Sequence, residues 1–205
     1  MNDTRQASQV FLVGGAPGAG KTTLGRELGR SLDFASITID DIRTAMLGVT
    51  SPATHPDLHR VGLPDAVEYF TQRTPDELIT DAIDQHTALW PGVERVIRRR
   101  MRSGPGIVID GWHLLPAQVA RLDMGSITPA WLDVDSAVLE SRERAVWDFY
   151  ARSHDPDRMF SNFLERSVRW NDYIRNEALS HGQLVIHQDG SRSPEDLRDE
   201  ILAPL

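Results

Sequence analysis

"QVFLVGGAPGAGKTTLGRELGRSL", residues 9–32, is the stretch that decides the fold. Gln9 to Val13 is an apolar run stopped by Gly14 and Gly15, the pattern of a buried strand. Thr22 to Leu32 carries Leu24, Leu28 and Leu32 on one helical face. Between them, Gly15, Ala16, Pro17, Gly18, Ala19, Gly20, Lys21 and Thr22 fill every position of G-x-x-x-x-G-K-[ST], in the strand–loop–helix setting the motif requires. Glycines let backbone N–H groups approach phosphate oxygens closely, and the helix N-terminus adds partial positive charge. Residues 15–22, with Thr23, are therefore the expected nucleotide cradle. Lys21 is placed on the β- and γ-phosphates, and the Thr22 hydroxyl on Mg²⁺. Lys21 is the one lysine among 22 basic residues. An ammonium is a compact point charge that fits inside such a loop, where a planar guanidinium would not.

Outward from the loop, strands and helices alternate. Ser36–Asp40 alternates like a second strand and runs into a helical DDIRTAML. Residues 49–64 carry Pro52, Pro56, Gly62 and Pro64 and read as a loop or flap. Residues 76–102 are helical, with Pro91 marking a kink or a new start. Gly106–Asp110 is a third strand and Pro129–Asp133 lies in a fourth, after which Asp135 can cap a helix. Asp155-Pro156 starts a long helix that ends near Gly182; Leu184–His187 is a fifth strand and Ser193-Pro194 starts the last helix. Five strands alternating with helices imply βαβ units in a parallel sheet, hence one three-layer α/β domain of the P-loop NTPase type over residues 1–205.

Composition excludes several classes. A net charge of −8 and a pI near 5.3 argue against a protein that grips nucleic acid backbones. There is no cysteine, so no disulfide framework and no thiolate site. There is no run of eighteen apolar residues, and the opening MNDTRQASQ lacks the apolar segment of a secretory signal. The expected location is the cytoplasm.

Two further acids point to phosphoryl transfer. Asp110 ends an apolar strand, where P-loop proteins place a carboxylate that holds Mg²⁺ through water. Gly111 follows it, where many motion-driving hydrolases have a water-activating Glu; this favours transfer to a bound acceptor. Asp40 and Arg43 stand three residues apart at a strand-to-helix junction. Asp40 is the candidate base that orients the acceptor hydroxyl, and Arg43 the candidate acceptor clamp.

The whole chain resembles the P-loop small-molecule kinases with a nucleoside-monophosphate-kinase-like core. "ITIDDIRTAM" and "VIDGWHLLP" are most similar to 2-phosphoglycerate kinase and its relatives, through Asp40, Arg43, Met46, Asp110, Gly111, His113 and Pro116. The resemblance implies a 2-3-1-4-5 sheet and a helical lid after strand four. It implies ATP and Mg²⁺ as cofactors and a hydroxyl of a small anionic molecule as acceptor. The lid falls at about residues 142–158, and residues 44–102 form the acceptor-side cover. Arg142, Arg144, Arg152 and Arg158 surround the break between two helices, and Arg144 and Arg152 are the candidates to close on the γ-phosphate. The Asp-x-x-Arg spacing is also similar to that of polynucleotide 5′-hydroxyl kinases, and the layout to zeta-type toxins and antibiotic phosphotransferases. A nucleotide-binding regulator without transfer chemistry is the alternative outside the enzymes.

Other clusters have simpler readings. Arg98–Arg102 is the cationic last turn of a helix. His55 and His59 lack a third metal ligand in sequence. His113 is either an acceptor contact or a turn residue, and Trp90, Trp147, Phe160, Phe163 and Trp170 read as core.

Overall fold

Apolar residues alternate along the inner strands and divide the core in two. In the computed structural model, which describes residues 10–62, 65–122 and 124–203, β1 (Val10–Gly15) is buried throughout. Val10 and Leu12 pack into one layer, Phe11 and Val13 into the other. β3 (Ile107–Asp110) does the same with Ile107 and Ile109 against Val108. Continuous apolar runs are what a parallel sheet covered on both faces demands.

The elements follow in the order α1 (Lys21–Leu32), β2 (Ala35–Thr38), α2 (Ile39–Val49), α3 (Ala66–Gln72), α4 (Pro75–Arg102), β3 and α5 (Pro116–Val119). Then come β4 (Ile127–Val134), α6 (Ser136–Arg144), α7 (Trp147–Tyr150), α8 (Pro156–Ser180), β5 (Leu184–Gln188) and α9 (Pro194–Leu202). The sheet is all parallel in the order β2-β3-β1-β4-β5. Leu24 and Leu28 of α1, Leu139 of α6 and Leu197 of α9 cover one face. Leu89, Val93 and Ile97 of α4, with Trp170 and Ile174 of α8, cover the other. The three-layer α/β architecture and the strand order are thus as expected.

Boundaries differ in instructive ways. β2 ends at Thr38 and not at Asp40, because Thr38 N-caps α2 by accepting a hydrogen bond from the Asp40 N–H. Asp40 therefore sits in the first turn of a helix. α4 continues through Pro91 for 28 residues, without a new start. α3 was not anticipated; two turns are too short for a clear period, although Asp65 caps it by accepting from Val67 and Glu68. The segment before it is pinned down: Leu58 is fully buried, and the Gln85 side chain donates to its carbonyl at 2.8 Å. Gln9, with the rest of the opening residues, and Pro64 lie outside the described residues. Among the described residues no helix is long and apolar enough to cross a membrane.

Candidate functional site

All five strands point their carboxyl ends the same way, so the β1–α1 loop, the start of α2 and the end of β3 meet at one edge. Gly20, with φ of 95°, turns the chain into α1 through the left-handed region, which a side chain would strain. Lys21 is buried, and its ammonium donates to the Ala16 carbonyl at 2.6 Å, inside the loop. Burial pushes its pKa down to about 8, opposed by the attraction of Asp110 and then Asp40. Thr22 donates its hydroxyl to Asp110 Oδ2 at 2.7 Å. Asp110 is itself buried; burial raises its pKa, restrained by the Thr22 hydrogen bond and by Lys21. Gly25 makes room for it, since a Cβ there would stand 3.2 Å from Asp110 Oδ1. A hydroxyl and a carboxylate beside a phosphate loop form a hard-oxygen donor set, which fits Mg²⁺.

The α2 start supplies the second half. Asp40 projects into solvent at the mouth, with the Thr38 hydroxyl 3.4 Å from Oδ2. His113 Nε2 lies 3.9 Å from Asp40 Oδ1. Burial, then the Arg43 charge, pushes the His113 pKa down to about 3. The imidazole is therefore neutral and the approach to Asp40 is not an ion pair. Arg43 is half-buried and donates to the Val61 carbonyl at 3.1 Å, while its Nε is buried without an acceptor. A side chain at Gly111 would collide with Ile39, its Cβ 2.8 Å from that of Ile39. The chain thus has no room there for the Glu of a hydrolase.

The β4 side places the expected arginines differently from one another. Arg142 reaches the loop, donating to the Gly18 carbonyl at 2.7 Å. Arg144 does not: it donates to Glu140 at 2.7 Å and lies over the Phe160 ring at 4.7 Å. At about 100° per residue on a helix, positions 142 and 144 face opposite sides. Arg152 is exposed in the turn between α7 and α8, and Arg158 is exposed in the first turn of α8. Glu143 is buried beside the loop, and its Oε2 accepts from the Tyr150 hydroxyl at 2.6 Å. Gly18, Lys21, Thr22, Arg142 and Glu143 line one cleft of about 350 Å³. An adjoining cleft of about 310 Å³ is lined by Leu24, Arg142, Gln188, Arg192, Pro194 and Leu197. Nothing in the sequence pattern marked that second cleft; Ser193-Pro194 reads only as a helix start.

Three further residues form a chain of contacts running from His113. Trp112 stacks edge-on against His86 at 4.4 Å and tilts against His113 at 4.9 Å. His86 is fully buried with neither ring nitrogen hydrogen-bonded, and burial drives its pKa well below the ordinary value. Arg166 of α8 is 2% exposed, with its guanidinium over the rings of Phe163 at 4.3 Å, Trp112 at 4.9 Å and Phe70 at 5.6 Å. Its signal was available: Arg166 lies between Phe163 and Trp170 on the apolar stripe of α8, where a solvated arginine does not belong.

The remaining groups are structural. His59 bonds to Thr50 and His55 to Thr54, and no metal-holding cluster occurs among the described residues. Arg99, Arg100 and Arg102 close the last turn of α4. Trp147, Phe160 and Phe163 belong to an aromatic cluster around Tyr150, and Trp170 lies in the main core.

The chain is similar to known proteins in sequence and in fold. A 2-phosphoglycerate kinase of Methanopyrus kandleri is 26% identical over 193 residues, covering 90% of this chain and 58% of that protein. Another, of Methanothermobacter thermautotrophicus, is 27% identical over 86% of this chain and 60% of its own length. The chain thus spans about three-fifths of the length of these two relatives. A mevalonate-3-phosphate 5-kinase of Thermoplasma acidophilum is 22% identical, covering 85% of this chain and 86% of that one. In fold, the chain is similar to a shikimate kinase from Acinetobacter baumannii, with a TM-score of 0.55 and 13% identity over 96% of this chain and 92% of that one. It is also similar to a gluconokinase from Sinorhizobium meliloti, with a TM-score of 0.52 and 16% identity over 97% and 92%. A family model described as an AAA domain matches residues 10–145, from β1 through the loop, Asp40, Asp110 and Arg142, and the chain belongs to that family.

Proposed function

We propose that the chain is an ATP- and Mg²⁺-dependent phosphotransferase that acts on a hydroxyl of a small phosphorylated hydroxy acid, in the manner of 2-phosphoglycerate kinase. One observation carries this reading: the Lys21 ammonium sits inside the glycine-rich loop on the Ala16 carbonyl, beside a Thr22–Asp110 hydrogen bond of 2.7 Å, and the start of α2 brings Asp40 to the same edge of the sheet. The names of the relatives agree on the class of acceptor, since 2-phosphoglycerate and mevalonate 3-phosphate are both phosphorylated hydroxy acids.

Lys21 and the loop N–H groups hold the β- and γ-phosphates. Thr22 and, through water, Asp110 would hold Mg²⁺, which would supply neutralisation of charge on the transferring phosphoryl group. Asp40 orients the acceptor hydroxyl and takes up its proton. Arg142, already at Gly18, turns onto the phosphates, and the nucleobase occupies the cleft edged by Arg192 and Pro194. Residues 142–158 act as the lid and residues 44–102 as the acceptor cover, in a protein working in the cytoplasm.

The test incubates the protein with γ-labelled ATP and a panel of 2-phosphoglycerate, mevalonate 3-phosphate, shikimate, gluconate, nucleosides, sugar nucleotides and 5′-hydroxyl oligonucleotides. Label on a phosphorylated hydroxy acid is the expected result. Label passing only to water overturns the proposal.

A further inference from the structure

Arg166 is buried and, among the described residues, forms no salt bridge. Among the described residues no carboxylate, carbonyl or hydroxyl accepts a hydrogen bond from its guanidinium, and its Nε is fully enclosed with no partner. Glu143 exerts the strongest attraction on it, yet that carboxylate is engaged by Tyr150 at 2.6 Å and makes no bond to Arg166. The three aromatic faces around Arg166 soften the cost of burial but satisfy none of its donors. An unpaired buried charge is costly, and such costs persist where a ligand supplies the missing partner.

The same wall holds four more orphaned polar atoms. They are both ring nitrogens of His86 and His113 Nδ1, in residues linked through Trp112 and the His86–His113 ring contact at 4.7 Å, and Arg43 Nε, on α2 three residues after Asp40. His86, Trp112 and His113 touch one another, and the Arg166 guanidinium lies over Trp112 at 4.9 Å, so these side chains share one neighbourhood. A set of donors this rich, positive and dry calls for a ligand rich in acceptor oxygens. The contacts run from Asp40 to His113, to Trp112 and then to Arg166, leading away from the point where the acceptor hydroxyl is oriented.

Resting on the transferase reading above, we propose that Arg166 is the specificity-determining residue for the acceptor: its planar fork grips a phosphate or carboxylate group the acceptor already carries, on the far side of Trp112 from Asp40. Arg43, His86 and His113 complete the subsite, the histidines as neutral hydrogen-bonding groups. A phosphate or carboxylate of the acceptor thus fixes which hydroxyl meets Asp40.

The experiment uses the full chain saturated with Mg·ADP, which fills the phosphate loop, and titrates inorganic phosphate by calorimetry. Wild type is expected to bind phosphate, and R166M to bind it at least about tenfold more weakly, the loss of one charge-assisted contact. Mg·ADP affinity should stay within about twofold, and R166M should melt no lower than wild type because it removes an unpaired buried charge. Phosphate affinity unchanged in R166M, or lost only in R43M, overturns the proposal. So does a loss of ADP affinity, which would put Arg166 on the nucleotide, and so does a lowered melting temperature, which would make it a structural cation. Should R166M not fold, the wild-type protein carries the test: the Arg166 Nε–H resonance, assigned with R166K, must shift on adding phosphate, and an unmoved resonance overturns it. Because no phosphoryl transfer is measured, this result stands apart from the labelled-ATP test. Label moving only to water sinks the transferase, while unchanged phosphate binding sinks the subsite alone.

Discussion

Raising the pH should weaken nucleotide binding, and the buried lysine sets where. The ordinary lysine value of 10.5 is lowered to about 8 at Lys21, with burial as the leading cause. Bound phosphates favour the ammonium, so the pKa of the complex lies above that of the free protein. Between the two values, binding takes up a proton. Affinity is therefore flat below pH 8 and falls above it. At pH 9, one unit above the free value, about nine in ten free molecules have a neutral Lys21, and the apparent affinity drops about tenfold, or about 1.4 kcal/mol. Calorimetric titration of Mg·ADP from pH 7 to pH 9 measures this. Repeating it in buffers of different ionisation enthalpy should show uptake near one proton at pH 9 and near a tenth of a proton at pH 7, by the same titration arithmetic. K21M should bind weakly at every pH and show no step. An affinity constant to within a factor of two across the range, or a K21M variant with the same slope, would refute the reasoning.

Three variants probe the neighbouring groups. K21R keeps the charge but not the compact shape beside the Ala16 carbonyl; transfer from labelled ATP should fall by about 10²–10³, the scale of losing one aligned transition-state donor, with the fold intact by circular dichroism. D40N should lower kcat by about 10²–10⁴ at unchanged ATP affinity, and an unchanged kcat would remove Asp40 from the base role. G25A puts a methyl 3.3 Å from the Asp110 Cβ; it should cost about 1–3 kcal/mol of stability and raise the Mg²⁺ concentration needed for half activity.

What the sequence made legible follows a physical division. The loop, the layers and the carboxylate that ends β3 depend on local spacing, and spacing is written in the chain. The expected Arg144 bonds to Glu140 while Arg142 reaches the loop, because the rotational setting of α6 on the sheet is decided by Leu139 entering the core. Thr38 reads as a strand residue by its neighbours Ile37 and Ile39, yet its hydroxyl caps α2 and shortens the strand. Arg166 was lost among 22 basic residues because burial is a tertiary fact, although its place between Phe163 and Trp170 hinted at it. The cleft beside Arg192 and Pro194 joins α1, α6 and the turn before α9, segments more than 40 residues apart, and no local pattern reports such a meeting.

Both cations of the phosphate loop are engaged with the loop itself: Lys21 with the Ala16 carbonyl and Arg142 with the Gly18 carbonyl. An incoming anion must exchange these internal partners for its own oxygens. A small anion with a single charged group to offer replaces only one carbonyl and leaves the other cation where it was. A polyphosphate replaces both in a single event. The consequence is selection by valency: chloride, acetate and other simple salts compete poorly, whereas a nucleoside di- or triphosphate releases both carbonyls together.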